Sequence, residues 1–102
     1  MSGFKKIVLI VTSNLSHYLS YNECYRIDNQ LISNILSLDI DSYYRTINEN
    51  SMTVCGFGCI ATAMEFSNKT DNYNTFLLKY STSGDIDKNN LSVVGYSSII
   101  MF

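Results

Sequence analysis

The side chains able to carry chemistry are few in this chain of 102 residues: one histidine, His17, three cysteines, Cys24, Cys55 and Cys59, and nine acids set against seven lysines and arginines. Cys55-Gly-Phe-Gly-Cys59 is the densest group of them. Two thiolates can begin a zinc site, but zinc needs four ligands, and the other donors offer no second pair at metal spacing. As a nucleophile, either cysteine needs a base or cation beside it, and His17 is the sole imidazole that could serve. In an extended strand Cys55, Phe57, Cys59 and Ala61 share one face, the usual arrangement of small core residues. The same stretch fits G-x-G-x-x-A over Gly56 to Ala61, a dinucleotide-binding form that requires a strand before, a helix after and an acid some twenty residues on. The residue at that distance from Gly58 is Leu78, so a bend between strands is the expectation. His17 reads as a helix-start residue rather than a base or pH switch. No catalytic residue, metal or cofactor is assigned, and the chain is expected not to be an enzyme but to act by contact.

The acids are more suggestive. Asp39-Ile-Asp41 and Asp85-Ile-Asp87 repeat one pattern in two polar connections, each setting two carboxylates on one side of an extended segment. Tyr43 and Tyr44 follow the first pair, and tyrosine beside acid supplies the rigid, polar-tipped contact area common at protein interfaces. Asp39, Asp41, Tyr43, Tyr44, Asp85 and Asp87 are therefore the expected partner-binding residues.

A formal charge of −2 excludes a strongly basic footprint, so direct nucleic-acid binding is not expected. Small, mildly acidic, poor in catalytic groups and rich in Ser, Asn, Ile and Tyr, the chain resembles bacterial toxin-immunity proteins such as those of contact-dependent growth inhibition. That resemblance implies a cytosolic antitoxin whose acidic loops cover the active site of a toxin domain, in the first instance a basic nuclease. Two alternatives stand beside it: a small homo-oligomeric interaction domain, such as a homodimer, and a Cys- or His-dependent enzyme.

The elements that must position these groups follow from periodicity. Phe4 to Val11 is β-branched and closes on Thr12-Ser13-Asn14, which predicts a buried strand rather than a signal peptide, the apolar run being too short for one. No stretch reaches the ~20 apolar residues of a membrane helix. An odd number of thiols at spacings that form no disulfide framework points to the cytoplasm. Apolar residues at steps of three and four from Tyr18 onward predict a helix over Leu15 to Leu38, capped by Ser16 or Asn14 and interrupted near Asp28-Asn29. A short strand is expected at Tyr43 to Ile47 and a long one over Met52 to Phe66, bent at its glycines. Tyr73 to Tyr80 and Leu91 to Phe102 complete an antiparallel meander. The last run is apolar on both faces, which predicts cover on both. The fold class is α+β in one domain over residues 1–102, an N-terminal strand and helical segment packed on an antiparallel β-meander, with a mostly-β sandwich as the alternative.

Overall fold

A computed structural model describes residues 8–52, 54–70, 74–87 and 92–102, without the side chains of residues 18, 86 and 87. Its elements run β1 (Leu9–Leu19), α1 (Tyr21–Leu36), α2 (Ile40–Glu49), α3 (Phe57–Lys69), β2 (Thr75–Thr82), a single turn α4 (Gly84–Asp87) and β3 (Val93–Met101). The class is α+β, as expected. The sheet is antiparallel with order β1-β3-β2, so the last strand lies in the middle. Three helices intervene between the two outer strands, where a meander of neighbours was expected.

α1 begins at Leu15's side of the expected helix but later than predicted, because Leu15 to Leu19 continue β1. Its cap is Ser20, whose hydroxyl accepts from the Glu23 amide at 3.4 Å, not Ser16 or Asn14. It passes Asp28-Asn29 unbroken. Cys24, Ile27, Asp28, Leu31, Ile32 and Ile35 form its buried stripe, so Asp28 is spent on tertiary bonds rather than on competing with the helix. The predicted strand at Tyr43 to Ile47 lies within α2, where Asp39 caps the first turn by accepting from the Ser42 amide at 3.1 Å.

The largest departure is the run Met52 to Phe66. It is not a bent strand: Gly56 takes a left-handed conformation (φ 70°) as the N-cap of α3, and Ile60, Ala61, Met64 and Ser67 recur at helical spacing on the buried side. The lack of charge disguised a 3.6-residue stripe as a uniformly apolar strand. Cys55 and Cys59 are consequently exposed instead of sharing a core face, and Cys24 is the buried thiol.

Both α1 and α2 close in the same way. After α1, the Leu38 amide bonds to the Ile35 carbonyl and the Asp39 amide to that of Asn34; after α2, Ser51 bonds to Asn48 and Met52 to Ile47. Each pair is the two-bond closure that needs a left-handed residue, and Leu38 (φ 55°) and Ser51 (φ 49°) fill that place without being glycine. Leu38 is held there by burial in the core with Leu31, Ile35, Tyr43, Ile60 and Met64.

In β3, Val93, Gly95, Ser97, Ile99 and Met101 alternate inward against the helices. The other face carries Ile100 between its partners Ile10 and Phe76, and Phe76 stacks on Phe102 at 5.7 Å. Ile10 is 65% and Phe76 57% exposed, so this face lacks the cover predicted for it among the described residues. Residues 4–7 of the expected first strand lie outside the described residues.

Ser51 and Leu38 make opposite predictions. Ser51→Gly relieves left-handed strain at an exposed site and raises stability by about 0.5–1 kcal/mol. Leu38→Gly relieves the same strain but strips a buried side chain, with a net loss of about 1–2 kcal/mol. Urea unfolding of the two variants measures both signs.

Candidate functional site

β1 is irregular where it carries His17. Asn14 faces Tyr96 and His17 faces Val94, so three steps on β1 match two on β3, and from His17 to Leu19 two steps match one. Such bulges re-aim side chains out of the pleat. The irregular stretch is held from beneath by a buried carboxyl. Asp28, 0% exposed, accepts from the Ser16 amide at 3.0 Å through Oδ1, and from the Tyr80 hydroxyl at 2.8 Å and the Cys24 thiol at 3.2 Å through Oδ2. The Ser16 hydroxyl in turn donates to Cys24 Sγ at 3.1 Å. α1, β1 and β2 therefore meet on one side chain. β3 contributes by leaving space: a Cβ built on Gly95 would stand 1.8 Å from Asp28 Oδ2 and 3.1 Å from the Tyr80 hydroxyl.

The same strand grips the turn before α3. The Cys55 amide donates to the Asn14 carbonyl at 2.9 Å, and the Ser13 hydroxyl donates to the Cys55 carbonyl at 2.6 Å. From α2, the Tyr43 hydroxyl donates to the Phe57 carbonyl at 2.8 Å. These three bonds place the turn so that His17 and Cys55 line one groove of about 570 Å³, with Tyr44, Ile47, Met52, Val54 and Phe57 as apolar wall and Asn48 as a further polar group. Phe57 is 52% exposed and its ring is available to a ligand.

The expected partner-binding residues are distributed otherwise. Asp39 is exposed but committed to Ser42, whose amide and hydroxyl it accepts; those bonds hold its carboxyl below the usual range. Asp41 is exposed in the first turn of α2. Tyr43 is fully buried with its hydroxyl occupied, so it offers no contact surface. Tyr44 is exposed, packs edge-on against Tyr43 at 5.4 Å and lines the groove. Asp85 caps the end of β2 by accepting from the Thr82 amide at 2.8 Å. The side chain of Asp87 lies outside the described residues. The two D-I-D segments thus belong to separate helices, α2 and α4, and two of their carboxylates serve local backbone.

His17 and Cys55, each weighed singly in the sequence, are brought to one space by the bulge and the turn. No Asp or Glu is among the groove residues described, and no group of three or more His, Cys, Asp or Glu among the described residues is placed to hold a metal. Asp28 escaped notice as a functional support, although an acid falling on the apolar stripe of a helix was a readable sign.

The sequence profile of the Memo-like protein family matches residues 2–100. The chain belongs to the Memo-like family. It is 45% identical over 96 residues to a MEMO1 family protein of Archaeoglobus fulgidus, a match covering 94% of this chain and 36% of that protein. With the MEMO1 family protein of Methanococcoides burtonii it shares 40% over 97 residues, 95% of this chain and 36% of the relative. For that of Desulfurococcus amylolyticus the figures are 40% over 99 residues, 97% and 35%. This Memo-like chain spans about a third of the length of the curated relatives it matches. The family match overturns the resemblance to toxin-immunity proteins, and with it the antitoxin function and the contact-dependent growth inhibition setting. That resemblance rested on size and composition alone, neither of which identifies a family.

Burial pushes the Cys24 thiol and the Tyr80 phenol up, the neighbouring Asp28 adding to both. Each stays neutral in the folded chain at a pH where the unfolded chain has released the proton. Stability is therefore complete below the ordinary thiol value of 9.0 and declines as pH rises through and beyond it. Urea midpoints should fall above about pH 9, and Cys24→Ala should delay the onset toward the tyrosine value of 10.0. Gly95→Ala, which expels the Asp28 carboxyl from its bonds, should cost about 2 kcal/mol or more.

Proposed function

We propose that this Memo-like chain works through the His17–Cys55 groove, as the binding site for a small molecule with a flat apolar body and one anionic or acceptor-rich end. The observation that carries the proposal is the lining itself: an imidazole, a thiol and a carboxamide set in an otherwise apolar, aromatic-walled space. Its volume lies within the range of small-molecule sites, about 300–1,000 Å³. Tyr44 and Phe57 supply ring faces for stacking. His17 supplies an imidazole N–H donor for the acceptor-rich end.

Binding rather than self-contained catalysis is the proposed act. The lining is dominated by apolar and ring side chains with three polar groups among them, the make-up of a binding pocket. The compartment we infer is the cytoplasm. Three cysteines remain free, two of them exposed, a condition at home in a reducing setting. Among the described residues, no helix is long and apolar enough to cross a membrane.

The probe for this site is 2-naphthoate, which pairs a flat ring system with a carboxylate. Titration followed by backbone amide shifts should move Asn48, Cys55 and Phe57 saturably. His17→Ala and Phe57→Ala should each weaken binding about tenfold, equivalent to about 1.4 kcal/mol. Saturable shifts elsewhere on the surface, or affinities untouched by both substitutions, would remove the groove from the function.

A further inference from the structure

Cys55 borders two spaces. Besides the His17 groove, it lines a cleft of about 390 Å³ between β1 and the start of α3, and Cys59 lines that same cleft. Both thiols are exposed and free, whereas Cys24 is enclosed in the Asp28 cluster. The turn between them sets both on that one cleft. Gly56 is left-handed, and a Cβ placed on it would lie 3.9 Å from the Cys59 Cβ, so the chain folds back over the first turn of α3. Gly58 has open space beside it: beyond its chain neighbours and the backbone of its own helix, nothing lies within 4 Å of a Cβ placed there. Cys55 precedes the left-handed cap of α3 and Cys59 lies in its first turn, and a disulfide asks their Cβ atoms to stand about 3.5–4.5 Å apart. Gly56 and Gly58, on either side of Phe57 in this five-residue segment, carry no side chain to bar that approach.

We propose that Cys55 and Cys59 are a dithiol pair oxidised to a disulfide by hydroperoxides, and that the disulfide disables the His17 groove; the second half of this rests on reading the groove as a binding site. The Cys55 thiolate attacks one oxygen of the hydroperoxide, the O–O bond breaks, and the leaving oxygen departs as alcohol or, from hydrogen peroxide, water. Cys55 then carries a sulfenic acid. The Cys59 thiolate attacks that sulfur, the S–S bond forms, the S–O bond breaks, and the hydroxide leaves as a second water once protonated. Two thiols and one hydroperoxide thus yield one disulfide, one alcohol or water, and one water, and a cellular dithiol reverses the step by exchange. Transient, sensing disulfides of this kind are compatible with a reducing compartment. Drawn toward Cys59, the Cys55 sulfur leaves the groove wall and takes with it one of the polar contacts available to a ligand.

The test begins without any ligand. The whole chain is treated with hydrogen peroxide, its remaining thiols are alkylated after unfolding, and the tryptic peptide spanning residues 46–69 is weighed. The expected product is that peptide two hydrogens lighter and unalkylated at both cysteines, with Cys24 alkylated. In Cys59→Ser the disulfide is absent and dimedone traps a sulfenic acid at Cys55. Full alkylation of both thiols after peroxide, or a bridge to Cys24 or to a second chain in place of the internal one, overturns the pair. The second measurement is 2-naphthoate affinity, expected to fall at least tenfold on oxidation and to return with dithiothreitol, while reduced Cys59→Ser binds as the parent does. A mapped disulfide that leaves the affinity unchanged overturns the link to the groove. If the reduced chain does not bind the probe, the binding reading fails while the peptide mass still decides the dithiol.

Discussion

Everything that gives β1 its unusual shape converges on the Asp28 carboxyl. Its backbone lies on α1, yet its oxygens are committed to the Ser16 amide of β1 and the Tyr80 hydroxyl of β2, and the Cys24 thiol donates to it from one helical turn away. A buried carboxyl is costly to desolvate and is repaid only when its lone pairs are filled. Removing one partner is therefore worse than never having built the group, since the orphaned oxygen keeps the penalty without the compensation. The arrangement also explains a glycine inside the central strand. Gly95 is there for the volume it does not occupy, because any side chain would displace Asp28 Oδ2. One interior carboxyl and one missing methyl group thereby set the register of the sheet on both sides of β3.

The consequence is felt one residue further along. Ser16 and His17 are neighbours in β1, so the bond that pins the Ser16 amide also fixes where the His17 side chain emerges. Three residues before Ser16, the same strand reaches the Cys55 turn through Ser13, and the Asn14 carbonyl takes the Cys55 amide. The groove is thus assembled through bonds that end on the backbone of β1 and of the turn before α3. Such bonds are strong specifiers because an unpaired buried amide or carbonyl is so unfavourable.

The mixed class, the N-terminal strand, the long helix and the last two strands were legible because each rests on a periodicity that burial enforces. What was not legible has a common physical source. α3 was hidden because a helix with few charges and several small residues presents no polar stripe against which its apolar stripe can be seen. Its N-cap signal was a glycine in a left-handed turn, a role that looks the same in sequence as a bulge in a strand. The end of β1 was misplaced because Tyr18, Tyr21, Cys24 and Tyr25 continue a helical spacing backward into residues whose partners are on β3. Asp28 was read through its local propensity to break helices, and the tertiary bonds that reverse that propensity are invisible along the chain. Tyr43 and Tyr44, adjacent and alike, went to opposite environments, since successive helical positions point about 100° apart and only one of them could enter the core.

Counting groups says nothing of where the fold brings them together. A single histidine and a pair of thiols looked too sparse to matter, and composition then turned toward acidic loops and an inhibitory contact. His17 and Cys55 share one groove through a bulge and a turn, two features that no spacing rule expresses. The acidic segments, by contrast, were conspicuous in sequence because they lie at helix starts and strand ends, where Asp39 and Asp85 satisfy backbone amides. Conspicuous acids with local duties and inconspicuous groups with convergent ones are what the hydrogen-bond geometry separates. In a family defined by sequence over nearly the whole chain, it is therefore the neighbourhood of His17 and Cys55, and the Asp28 anchor behind it, that gives this segment its chemical character.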